Sequence, residues 1–435
     1  MKAVTDSLVL DQEEASDKAL FLRIMLRIMP ILFIGYIIAY IDRVNVGFAK
    51  LQMLDDLNFS AAVYGFGSGI FFLGFILFEI PSNLILHRVG ARVWLARIML
   101  TWGIIAIATL FVQTPLQFYI SRFLLGAAEA GFVPGAVYYL SLWFPPNRRG
   151  RVFSILITAT AVGGIVVGPL CGWIMEHFAQ SQTLRNWQWL FLLQGLPALV
   201  FAVVFWRLLP EHPDKVDWLS RGERERLAQL NDNRQQQQSG HERIGQVLSQ
   251  ANVWLLAVTL LSVNLGIYSA VFWAPTIIKE SGIDDLATIG YVSALPYIAA
   301  ALFMLVLGRS SDRFQERRWH IASSSVIAAI GLLLVASEGE PMLRIGGVIL
   351  ATGAFIGTTP LIWATAGNYM SGRGAAVGLA MMNTIAALGG LFGPYLMGLA
   401  KDLTGSTNLA TNGLAVAALL GSLAILRLPK KAAAR

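Results

Sequence analysis

Residues 39–48 read AYIDRVNVGF and lie within the apolar run from Ile31 to Ala49. The run is about as long as a membrane helix, yet it carries a carboxylate, Asp42, beside a guanidinium, Arg43. A charge at the centre of a bilayer costs about 2.5–3.5 kcal/mol or more, and such residues face a bundle interior and mark a function. Neighbouring helical side chains point about 100° apart, so these two diverge and do not neutralise each other. Each needs a partner on another element. The fold turns on whether this run is one of many.

It is one of about twelve. Of 435 residues, 56% are hydrophobic and 14% charged, against roughly 25% charged in an average soluble domain. Apolar stretches recur at 28–49, 61–86, 93–113, 117–142, 152–176, 187–209, 253–279, 287–308, 320–336, 343–370, 375–400 and 410–427. Each is close to the ~20 residues that span a bilayer. The sequence predicts an all-α membrane protein of twelve transmembrane helices. The acidic, polar first 20 residues lack the basic start and short apolar core of a cleaved signal, so the first span is expected to stay in the mature chain. One cysteine, Cys171, excludes a disulfide framework. Five scattered histidines argue against a metal site, and no cofactor is expected. The glycine-rich GFGSG at 65–69 lies inside a span and reads as helix packing, not as a nucleotide loop.

Charge sets the expected orientation. With both termini cytoplasmic, 26 of the 33 Lys and Arg fall in inner segments and five in outer ones: Lys50, Arg185, Lys279, Arg344 and Lys401. Arg43 and Arg122 lie within spans. This is the positive-inside bias, and the net charge of +7 therefore needs no nucleic acid. The expected partners are the bilayer, protons and a small-molecule substrate, and the chain is expected to act as a monomer. The short outer loops suit a bacterial inner membrane.

A polar segment beginning PEHPDKVDWLSRGERERLAQL separates spans six and seven. It predicts a cytoplasmic tail at 1–27, a six-helix bundle at 28–209, a cytoplasmic linker at 210–250, a second bundle at 251–428 and a tail at 429–435. LSRGERERLAQL suits a short surface helix, and QQQQSG at 235–240 reads as a flexible low-complexity stretch. The halves echo each other: HRVGAR at 87–92 answers DRFQER at 312–317, and Gly168-Pro169 answers Gly393-Pro394, both at an offset of 225 residues. A shared offset points to a duplicated six-span unit, the plan of many secondary transporters.

YIDRVNVGFAKLQM at 40–53, FEIPSNLILHRVGAR at 78–92, RFLLGAAEAGFVPG at 122–135 and FWAPTIIK at 272–279 resemble the anion:cation symporter family of the major facilitator superfamily, over essentially the whole chain. The resemblance implies the major facilitator fold, two pseudo-symmetric six-helix bundles, and proton-coupled uptake of organic acid anions such as tartrate, sugar acids, aromatic carboxylates and nicotinate. His87 replaces the usual Asp of the first loop motif, whereas Asp312 keeps it in the second. Arg88, Arg92, Asp312 and Arg313 are the corresponding gating residues.

At least five residues from the ends of the first-half spans, the remaining charges are Glu79, Arg122 and Glu129. At about 1.5 Å per residue, Asp42 and Arg122 both lie roughly 8–9 Å below the outer surface, and Glu129 near the midplane. Arg122 and Glu129 are seven residues apart and so share a helix face. We expect Asp42 and Glu129 to carry protons, Arg122 to switch between them, and Arg43 to stay free for the substrate carboxylate, which its planar fork suits. The plainer reading is a set of fixed pairs bracing spans one and four. Glu79, near the inner edge, reads as gate packing. The second half has no charge in the interior of its spans, away from their ends, so its candidates for recognition are polar or aromatic: Asn264, Tyr268, Trp363 and Asn383. The resemblance adds a substrate-binding Asn near Asn383. Where family members often have Tyr, this chain has Phe75; that favours tartrate-sized or aromatic carboxylates over sugar acids unless Tyr40 supplies the hydroxyl.

Three other classes compete. A proton-coupled drug antiporter would use Gly164-x3-Gly168-Pro169-x2-Gly172, which nearly matches an antiporter signature; a similar run in span eleven makes packing an equal explanation. A sensor would want an output domain longer than this linker. An enzyme would want a nucleophile–base pair or a metal cluster, and none is visible.

Overall fold

A computed structural model describes residues 2–232, 250–337, 340–369 and 372–429. Among them twelve helical segments are long and apolar enough to cross a membrane: Asp17–Leu57, Ala61–Val89, Ala91–Phe111, Pro115–Trp143, Arg148–His177, Asn186–Leu208, Ala251–Glu280, Leu286–Phe314, Arg318–Ala336, Pro341–Tyr369, Gly378–Thr404 and Asn408–Leu426. They are called spans one to twelve below. Apolar side chains such as Ile80, Val203, Leu305 and Leu420 face outward, as they do where the surroundings are lipid.

The first span departs most from its expected bounds of 28–49. Its helix runs over Lys2–Val44, then resumes as Val46–Leu57. Leu20, Phe21, Ile24 and Ile28 bury one stripe of the early part, while Arg23 pairs with Glu223 at 2.9 Å and Asp17 with Arg226 at 3.2 Å. Those partners belong to the expected surface helix, found at Arg221–Asp232. Trp218 stacks on Trp143 with centroids 5.8 Å apart, so this part of the linker is seated on the first half. The stretch 235–240, read as flexible, lies outside the described residues.

The halves meet at the charge-poor end. Spans two and eleven, and spans five and eight, approach backbone to backbone: a Cβ on Gly65 would stand 2.4 Å from the Pro394 carbonyl, and one on Gly168 2.3 Å from that of Gly290. GFGSG is thus a packing surface. The run Gly164–Gly168–Gly172 lies along Tyr297, Gly290 and Leu286, so packing accounts for the pattern that resembles an antiporter signature. Asp402 accepts from the amides of Ala61 and Ala62 (3.0 and 2.8 Å), and Glu176 from that of Ala287 (3.1 Å), across the halves. At the charge-rich end, Arg149 and Arg318 bond within their own halves, Arg92 reaches Glu211 at the start of the linker, and Tyr369 donates to the Pro429 carbonyl of its own C-terminal tail; none of these contacts crosses between the halves. The protein is closed at the charge-poor end.

Candidate functional site

Two broken helices build the site. Span one breaks at Asn45, and the Asn45 amide folds back to donate to Asp42 Oδ1 at 3.1 Å. Asp42 is buried and faces span three, where Trp102 Nε1 donates to Oδ2. Arg43 turns the other way and pairs through Nη2 with Glu129 Oε1 on span four. The two charges do diverge, as neighbours on a helix must. Span four breaks one residue beyond Glu129: its first piece is Pro115–Glu129, and the chain restarts at Phe132 after Gly131, with φ +88°. A Cβ there would also stand 2.2 Å from Ser82 Oγ, so only glycine fits. Discontinuous helices at mid-membrane are where secondary transporters place their binding groups.

Glu129 side-chain exposure is 2% and that of Arg43 is 13%, so Arg43 is the less buried member of the pair. Arg43 Nε and Glu129 Oε2 have no hydrogen-bond partner. Arg122 is among the largest fully buried side chains, and its Nε and Nη2 are also unpartnered. Phe71 of span two stands between the two arginines, its centroid 5.5 Å from Arg43 Cζ and 5.2 Å from Arg122 Cζ. Gly126 permits that approach, since a Cβ would lie 2.0 Å from the Phe71 carbonyl. Phe75, one turn on, is 5.6 Å from Arg43. Both rings offer the negative faces that attract cations.

From the second half, Tyr268 interacts with Arg43, and its ring packs on Phe72 at 4.3 Å. Tyr40 donates to Tyr297 across the halves at 3.4 Å. Tyr36 lies within electrostatic reach of Arg43 and Glu129. Asn264 instead donates to the Ala386 carbonyl at 3.1 Å, tying span seven to span eleven. Trp363 and Asn383 are half-buried on spans ten and eleven and make none of these contacts. Glu79 is half-buried as well. Among the loop-motif residues, Arg92 comes within 4.0 Å of Glu211, while Arg88, Asp312 and Arg313 are exposed.

The pairing differs from the expected one. The expectation has Arg122 switching between Asp42 and Glu129 and Arg43 free; in the structure Arg43 holds Glu129, and Arg122 forms no ion pair among the described residues. Asp42 already has two neutral donors, which removes the need for a cation beside it. Trp102, Asn45 and Phe71 were missed. A signal for Trp102 was present, because a mid-span indole N–H needs an acceptor and carboxylates in the first-half spans are few.

Residues 32–394 match the Major Facilitator Superfamily. The chain belongs to that superfamily. Metabolite transport protein NicT of Pseudomonas putida is 42% identical over 418 residues, 95% of each chain. A protein of Agrobacterium vitis named for tartrate transport is 40% identical over 385 residues, 88% of this chain and 85% of that one. A quinolone resistance transporter of Acinetobacter baumannii is 37% identical over 407 residues, 93% and 94% of the two chains. Among solved structures, a bacterial homologue of the human lysosomal transporter Spinster, inward-facing and unoccupied, aligns with a TM-score of 0.72 at 16% identity, over 91% and 92% of the chains. The Escherichia coli xylose transporter XylE aligns at 0.70 and 15%, over 92% and 96%. This superfamily member is therefore a multi-pass membrane transporter of small molecules, not an enzyme, and the fold expectation of two six-span halves of helices is met.

Proposed function

We propose that the protein is a proton-coupled symporter importing a small organic acid anion, tartrate-like or an aromatic carboxylate, across a bacterial inner membrane. The charge-poor end then faces outward, both termini are cytoplasmic, and the structure is the state closed to the outside. The observation that carries this reading is the Arg43–Glu129 pair: an arginine side chain only partly buried, held by a fully buried carboxylate. Protonation of Glu129 ends the ion pair and frees Arg43 for the substrate carboxylate, with Tyr268 and Phe75 beside it. Asp42 is a second proton carrier, but Trp102 and Asn45 screen it from Arg43, so the proton on Glu129 is the one that sets anion affinity. Arg122 is a fixed positive charge that holds the anion in the cleft until Glu129 loses its proton. The relatives named for tartrate and metabolite transport support the substrate class.

The test is uptake into liposomes holding a pH dye, with tartrate, sugar acids, benzoate-type acids and nicotinate outside. Saturable acidification of the interior, absent from empty vesicles and from Glu129→Gln, is the expected result. The quinolone resistance relative favours a second reading, proton antiport of a drug. Under that reading no acid carries protons inward and lipophilic substrates drive them outward.

A further inference from the structure

Lys50 sits in span one at the closed end, 5% exposed, and its Nζ has no hydrogen-bond partner. The ammonium lies 2.9 Å from the ring centroid of Trp273 and 4.5 Å from that of Tyr64. The cage joins the halves, with Lys50 and Tyr64 from the first and Trp273 from the second. Tyr64 donates across the halves to the Phe272 carbonyl at 2.8 Å, and Trp273 is fixed within the second half by donating to the Pro394 carbonyl at 3.3 Å. The nearby carboxylates are committed elsewhere: Glu280 pairs with Lys401, and Asp402 accepts from Ala61 and Ala62. Lys401 adds a like charge within electrostatic reach of Lys50.

A lysine kept only for packing is hard to explain here. Burying an ammonium without an anion is costly, and two aromatic faces return part of that cost. An uncharged side chain of similar length would fill the cage without the penalty. The charge makes sense in another state. When the halves part at this end, Trp273 leaves with the second half and Lys50 borders the opened cleft. It then stands about 10 Å along the span from Arg43.

We infer that Lys50 is a first anion-binding station: it takes the carboxylate of an arriving organic acid while the outer end is open, and withdraws into the Tyr64–Trp273 cage as that end closes and the acid passes to Arg43. The inference rests on the proposed anion import and orientation. The experiment compares wild type, Lys50→Gln and Lys50→Arg in right-side-out and inside-out vesicles with radiolabelled tartrate and nicotinate. Lys50→Gln should lower Vmax/KM for uptake from the outer face five- to tenfold through a raised KM, lower efflux Vmax/KM by the same factor, as reversibility requires, through the maximal rate with the inner-face KM within twofold, and be rescued by Lys50→Arg. An unchanged outer-face KM, or a KM raised equally from both faces, overturns the inference while import itself stands. If wild-type vesicles accumulate no organic acid, the import reading fails instead.

A measurement on the unmutated lysine covers the case of a variant that does not fold. Amine acetylation followed by mass spectrometry should find Lys50 protected in the closed state, reactive once Gly168→Leu props the outer end open, and protected again by added tartrate or nicotinate. Equal reactivity with and without both acids overturns the inference.

Discussion

Replacing Glu129 by glutamine should make anion affinity independent of pH. In the structure one guanidinium, that of Arg43, is held by one buried carboxylate. On the proposed reading, substrate and Glu129 compete for that one group, and one proton is linked to one anion. Only protonated Glu129 yields its place, so affinity rises as pH falls. On the alkaline side of that titration, the wild-type Kd should climb tenfold per pH unit, about 1.4 kcal/mol, and up to about a hundredfold between pH 6 and 8 if the whole range lies there. The Glu129→Gln side chain mimics the protonated acid in shape and charge. Its Kd should stay flat within about twofold and match the wild-type acid limit. Isothermal titration of the purified protein with tartrate or nicotinate at four pH values reads this directly. A variant that keeps the wild-type slope, or a wild type without one, refutes the linkage of Arg43 and Glu129. A limiting slope near two would assign a second proton to Asp42.

The other expectations concern parts around the pair. Trp102→Phe keeps a ring against Phe132 but removes a donor from a buried carboxylate, and should cost about 1.5–3 kcal/mol of stability; a thermal-melt change equivalent to less than about 0.5 kcal/mol would deny that bond. Gly168→Leu puts side-chain carbon where a Cβ already stands 2.3 Å from the Gly290 carbonyl, so the outer end should stay open; spin labels on Gln182→Cys and Asp284→Cys should move apart, with buried Cys171 silent. Glu223 is held below the usual carboxylate range, first by the Ser220 backbone N–H, then by the Ser220 hydroxyl and Arg23. That depressed pKa means the cap stabilises above the unfolded value and is lost as pH falls through the folded one; Glu223→Gln should speed amide exchange over 221–230 at pH 7 by a fewfold, and not at about pH 3.

Hydropathy located the spans because a bilayer imposes length and composition, and for ten of the twelve both ends lie within four residues of the observed ones. It failed on span one, whose ends are charged. There the helix persists because Arg23 and Asp17 find partners on the linker helix and Asp56 accepts from Arg185 and Trp187. The breaks at Asn45 and Gly131 were invisible to hydropathy, since apolar composition continues through both. In Glu129-Ala-Gly131-Phe-Val-Pro134 the signal was legible as a glycine shortly before a proline. The choice of partners was not legible: rise per residue gives depth along a helix but not which neighbour a side chain faces. Depth matched Asp42 to Arg122, while azimuth sent Asp42 to Trp102 and Arg43 to Glu129.

That pairing bears on the sign of coupling. The cluster holds two arginines and two carboxylates, a formal charge of zero, yet it forms only one ion pair and leaves Arg122 Nε and Nη2 and Glu129 Oε2 without partners. A set of braces would satisfy these groups, and a buried pair is in any case weak support for stability. On the proposed reading the incompleteness has a use. A proton on Glu129 leaves the cluster with one positive charge in excess, beside two guanidiniums. A monoanion restores neutrality there, whereas a cationic drug would raise the charge further in a medium where each unpaired charge is expensive. Proton and anion are therefore most stable in the site together, and that favours symport over exchange.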